Sequence, residues 1–204
     1  MTDTFGLINK IVPHIIKEQL SPSEALAHAG NALSDHLSQS TKQTINNIDA
    51  LKTEEAFLDH TKDMLTSEPP SSEIVAYYLG MIDMQGGLLK KYEYQRFYLC
   101  GTDQFDADEE DWACDPAWFP SKRYYDTPLL NAIGKAQHTT DSTATYLLSL
   151  TIAAAFAIRA APLIAAHTNP TANPVPIAIG HDSGDIFIVG YATPEGIQQA
   201  TTQH

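Results

Sequence analysis

The sequence predicts an α+β fold: N-terminal helices followed by a mostly antiparallel sheet of about four strands packed against a long buried helix. Three observations carry this. Apolar residues recur at helical spacing through residues 1–66. Beyond the Pro-rich stretch Thr66 to Ser72, short runs of β-branched and aromatic residues take over, as strands require. Finally, Thr143 to Ile158 carries no charge and is rich in alanine, which suits a central helix gripped on most sides.

Taken in order, Phe5, Ile8, Ile11, Val12, Ile15, Ile16 and Leu20 form the first helical stripe. Pro13 lies inside it, which predicts a kink or a late start. Ser21-Pro22-Ser23-Glu24 reads as a helix start, with a Ser cap, Pro at the first position and Glu at the third. Leu26, Ala29, Leu33 and Leu37 continue from it. A weaker pattern covers Thr44 to Leu51, and Thr53-Glu54-Glu55 is expected to cap a helix reaching Leu65. Paired prolines at 69 and 70 then make a linker. The division is a helical region at 1–66 and an α+β domain at 73–204.

In the second part, Ile74 to Met84 and Leu88 to Cys100 read as antiparallel strands around a Gln85-Gly86-Gly87 turn. Thr127-Pro128 opens a short helix through Gln137, and Asp141-Ser142 caps the long one to His167. A membrane span needs about twenty apolar residues. Here Thr143, Thr145, Ser149 and Thr151 dilute the run, and Arg159 and Pro162 interrupt it. Val175 to Ile179 and Ile186 to Val189 complete the sheet as a hairpin around Gly180 to Asp185.

Net charge is −13 and the isoelectric point near 4.8. That argues against nucleic acid and anionic membrane as partners, since both need a Lys/Arg excess. It favours a basic protein, whose encounter an acidic face accelerates. Two cysteines without a CxxC pattern, and an N-terminus without a signal-peptide pattern, make a cytoplasmic protein the expectation.

The densest signal is Phe97 to Asp126. It holds both cysteines (Cys100, Cys114), both tryptophans (Trp112, Trp118) and seven carboxylates from Asp103 to Asp115 without a Lys or Arg. A solvated loop gains little from indoles, and a core segment cannot bury seven carboxylates unpaired. The combination predicts a loop pinned by aromatics that shows a negative face. The EF-hand register is missed by Asp103, Asp106 and Asp108, and no glycine follows them, so no metal is expected. Both thiols lie among carboxylates, which raise thiol pKa and dull reactivity. His181-Asp182-Ser183-Gly184-Asp185 contains triad residue types, but neighbours in a turn cannot align as nucleophile, base and orienter. It is read as turn chemistry. The scattered histidines form no close-spaced zinc pair. No phosphate-binding glycine motif occurs, and no catalytic residue or cofactor is assigned.

The segments Cys100-Gly101-Thr102-Asp103, Asp111-Trp112-Ala113-Cys114, Trp118-Phe119-Pro120 and Arg123-Tyr124 resemble immunity proteins of bacterial polymorphic toxin and contact-dependent inhibition systems. The Ile179 to Asp185 hairpin is similar too, and the likeness covers about a third of the chain. The resemblance implies a small cytoplasmic protein, not an enzyme, that binds a cognate toxin domain, often a nuclease, and blocks it. Charge adds the contact surface: Asp103, Asp106, Asp108, Glu109, Glu110 and Asp111 facing a basic cleft, with Phe105 or Trp112 as central anchor. The competing expectation is a small-molecule-binding or hydrolytic α+β enzyme with a pocket between the long helix and the sheet.

Overall fold

The computed structural model describes residues 4–85, 93–108, 111–136, 142–168, 174–182 and 186–199. It is α+β, with helices first, a mixed sheet and a long buried helix. The glycines of the turn expected at Gln85 to Gly87, and Ser183 to Asp185 of the second hairpin turn, lie outside the described residues.

Helix α1 (Thr4–Glu18) carries Pro13 in its interior and on its exposed side. It starts early, not late. Its end is set by Gln19 in the left-handed region (φ 50°), which lets the Leu20 N–H reach back to the Ile15 carbonyl at 3.1 Å. Helix α2 (Pro22–Ala32) begins as its sequence demands. The Ser21 hydroxyl accepts the Glu24 N–H, and the Glu24 carboxylate accepts the Ser21 N–H at 3.0 Å.

The next two helices are displaced from their predicted positions. Helix α3 (Gln39–Asn46) ends where the Thr44 to Leu51 pattern was to begin, and α4 (Ala50–Ser67) starts three residues before the Thr53 cap. The reason is Asp49, whose carboxylate accepts the Lys52 N–H at 3.0 Å and takes the cap. Thr53 is left inside the helix, donating its hydroxyl to the Asp49 carbonyl at 2.8 Å.

Among the described residues the sheet has six strands, not about four. In chain order they are β1 (Ala76–Gln85), β2 (Glu93–Thr102), β3 (Tyr124–Tyr125), β4 (Val175–His181), β5 (Ile186–Thr193) and β6 (Gly196–Gln198). Their order is β3-β2-β1-β4-β5-β6, antiparallel except for the central β1–β4 pair. The unforeseen strands are the shortest, at two and three residues. His181 is also strand, the last residue of β4, rather than turn.

Helix α5 (Pro128–Ala136) leads to α6 (Ser142–His167), which is buried between the sheet and the N-terminal helices. By length and composition α6 could cross a membrane, yet 83% of its apolar window is covered by the rest of the chain. One continuous core runs from Ile8 to Ile197 around it. Strand alternation then gives the sheet two different faces. Tyr77, Leu79 and Met81 of β1, with Phe97, Leu99, Ile177 and Ile179, belong to the α6 side. Ala76, Tyr78, Cys100 and Ala178 point the other way, into a second, smaller cluster. That second face carries the site.

Candidate functional site

The acidic loop leaves β2 at Thr102, whose buried hydroxyl donates to the Gln104 carbonyl at 2.7 Å. Asp106 closes the next turn by accepting the Asp108 N–H at 2.9 Å. A single 3₁₀ turn, Asp111–Ala113, then swings Trp112 inward. Trp112 is only 4% exposed and meets Phe105 edge-to-face at 5.1 Å, both against the second cluster. The chain returns to the sheet at Trp118, which exchanges two 2.9 Å backbone hydrogen bonds with Gly101. Its indole N–H donates to the Glu68 carbonyl at 2.9 Å, tying the loop to the end of α4.

Both indoles are thus inside, holding the loop. Phe105 is half-buried, while Asp103, Asp106, Asp108 and Asp111 are exposed. Among the described residues none of these four carboxylates pairs with a cation, and no three His, Cys, Asp or Glu side chains converge as metal ligands. Glu109 and Glu110 lie outside the described residues. Phe119 is the most exposed aromatic ring of the loop among the described residues, at 45%, with the Arg123 guanidinium stacked 3.8 Å above it.

Between this loop and the second sheet face opens a cavity of about 250 Å³. Tyr78, Tyr98 and Cys100 of the sheet form one wall, and Ala113, Cys114, Pro116 and Phe119 of the loop the other. His181, Asp182 and Ile186 line it from β4, the turn and β5. The α6 side of the sheet, where an enzyme pocket was the competing expectation, is filled by the main core. Burial, rather than neighbouring carboxylates, pushes the Cys100 thiol up to about 12, and Arg123 opposes it. Burial raises the Tyr78 and Tyr98 hydroxyls as well, with Asp182 among the nearby groups adding to each.

At the end of β4 the His181 imidazole is held from both sides, Nε2 3.2 Å from Asp83 and Nδ1 3.2 Å from Asp182. The hydrogen bond to Asp83 keeps the imidazole above its ordinary pKa despite desolvation, and the same bond holds the Asp83 carboxyl down. Behind Asp83 stands buried Gln95, which accepts the Ser149 hydroxyl of α6. Both ring nitrogens of His181 thus face carboxylates. The arrangement is a charge cluster at the rim of the sheet, its imidazole centred 6.2 Å from the Tyr146 ring of α6.

Sequence reading found the loop and its anchoring, and missed the cavity. Its walls come from segments far apart in the chain. The signal that could have found it is the alternation of Tyr78 with Gly80 and of Tyr98 with Cys100, which places aromatic and small residues on one face. Comparison of the chain with protein-family models, curated proteins and solved structures returned no match.

Proposed function

We propose that this chain is an immunity protein that binds a cognate bacterial toxin domain, a basic nuclease by preference, and blocks it. One observation carries the reading: Asp103, Asp106, Asp108 and Asp111 stand in solvent without a cationic partner among the described residues, on a loop whose two tryptophans are buried. A rigid negative surface of this kind imitates the phosphates that a nuclease cleft attracts. It speeds encounter and adds charge complementarity once docked. Trp118's backbone bonds to Gly101 and its indole bond to Glu68 pin the loop's return to the sheet before binding, so less ordering entropy opposes association.

The test begins with capture of the partner from the native host on immobilised full chain. The triple variant Asp103→Lys, Asp108→Lys, Asp111→Lys spares Asp106, whose carboxylate closes a turn. It is expected to slow association about tenfold or more at low salt, and less at high salt, where screening shortens to a few ångströms. Equal affinity of the triple variant and the parent chain removes the loop from the interface.

A further inference from the structure

We infer that the cavity between the loop and the second sheet face receives a single cationic side chain, arginine or lysine, from the partner protein. This rests on the toxin-binding reading and names the chemistry of one contact within it. Three features of the cavity point there.

Its charge comes first. Asp182 lines the cavity and brings one carboxylate to it, whereas Asp83, which holds the other nitrogen of the same imidazole, is not part of the lining. Among the described residues no Lys or Arg is part of the lining, and Arg123 sits on the Phe119 ring. Its walls come second. Tyr98 and Phe119 supply aromatic surface beside the carboxylate, the pairing that stabilises a guanidinium or ammonium by cation–π attraction. Phe119 already does this for the chain's own Arg123 at 3.8 Å. Third is position. Ala113 and Cys114 form a wall while Asp111 and Asp115, on either side in the chain, stand exposed. A basic protein approaching the acidic loop therefore passes its side chains over the mouth. About 250 Å³ accommodates one guanidinium with its aliphatic stem and little more.

The experiment uses n-butylguanidinium as the probe and neutral n-butylurea as its isostere, titrated into the full chain by NMR. Signals of Tyr98 and Ile186 report on the cavity. The expected result is saturable, millimolar binding of the guanidinium, the range that about eight non-hydrogen atoms reach. The urea should bind at least fivefold more weakly. Asp182→Asn, on an exposed turn, should weaken the guanidinium at least fivefold, and Cys114→Trp should block it. Equal binding of both probes, insensitivity to both substitutions, or no saturable shift overturns the proposal. The two readings separate cleanly. Loss of partner affinity in the loop triple variant without guanidinium binding leaves the toxin reading standing and removes the cavity from it. Guanidinium binding with a triple variant of unchanged affinity does the reverse.

Discussion

The ring of Tyr98 lies directly on Gly80, its partner across β1 and β2: a Cβ built at Gly80 would sit 2.2 Å from the tyrosine Cζ. The glycine is therefore what lets the ring lie flat along the sheet and form the cavity wall. Gly80→Ala should cost about 1–3 kcal/mol of stability, because the buried backbone cannot retreat and Tyr98 must leave its place. Urea unfolding measures this. Combined with Tyr98→Ala, the cost of Gly80→Ala should largely vanish, since the clash disappears with the ring. Strict additivity of the two would show that the ring is not what the glycine accommodates.

Arg159 is the only charged residue between Ser142 and Thr168, and it is paired with Glu54 of α4. The two partners are unequal: the Glu54 side chain is 8% exposed, that of Arg159 51%. Removing the arginine strands a buried carboxylate, whereas removing both removes the desolvation problem. Arg159→Met should cost about 1–3 kcal/mol, with the double variant Glu54→Met, Arg159→Met recovering most of it. A double variant less stable than Arg159→Met would mean that the pair itself stabilises the α4–α6 contact.

The pair His181 and Asp83 gives stability a defined pH window. A raised folded-state pKa at His181 contributes stability that is present in acid and lost as pH rises through that raised value. The lowered Asp83 pKa contributes stability present above the ordinary carboxylate range and lost as pH falls through the lowered value. Solvent reaches Asp83, which is 38% exposed, so the sum is modest. His181→Gln should destabilise by about 1 kcal/mol near pH ~5.5 and by less near pH ~9, where wild-type imidazole is neutral. Denaturant midpoints across pH read the difference. A penalty that grows toward alkaline pH would reverse the assigned sign.

The parts of this architecture legible in sequence are those written in local chemistry. Ser21, Pro22 and Glu24 announce α2 because the capping box is a contact between residues three apart. The uncharged stretch from Thr143 announces α6 because burial on all sides leaves no place for charge. Asp49 takes the cap expected of Thr53, and since both residue types can cap a helix, local sequence does not choose between them. The β3 pairing of Tyr124 and Tyr125 rests on Phe97 and Tyr98, more than twenty residues away. A two-residue strand has no periodicity of its own to read. The same holds for the site. The indoles and carboxylates of the loop are adjacent in sequence and declared themselves. The cavity needs Tyr78, Cys114 and Asp182 brought together by the β1–β2 and β1–β4 pairings, which no spacing encodes.

Within the loop, anchoring and charge should respond to mutation in opposite ways. Trp112 fills the second cluster against Phe105, so Trp112→Ala should cost about 2–4 kcal/mol through the void it leaves. Asp103, Asp106, Asp108 and Asp111 stand exposed on a chain of net charge −13 and repel one another there. Changing all four to Asn keeps the turn-closing acceptor at Asp106 and removes the repulsion. The quadruple variant should match wild type within about 0.5 kcal/mol or exceed it. Added salt should stabilise wild type more than the variant, because only wild type has this repulsion left to screen. Urea unfolding at low and high ionic strength measures both. If the quadruple variant instead lost more than about 1 kcal/mol, the carboxylates would be serving the fold. Neutral or improved stability means the fold gains nothing from them, as the proposed role in recognising a cationic partner requires.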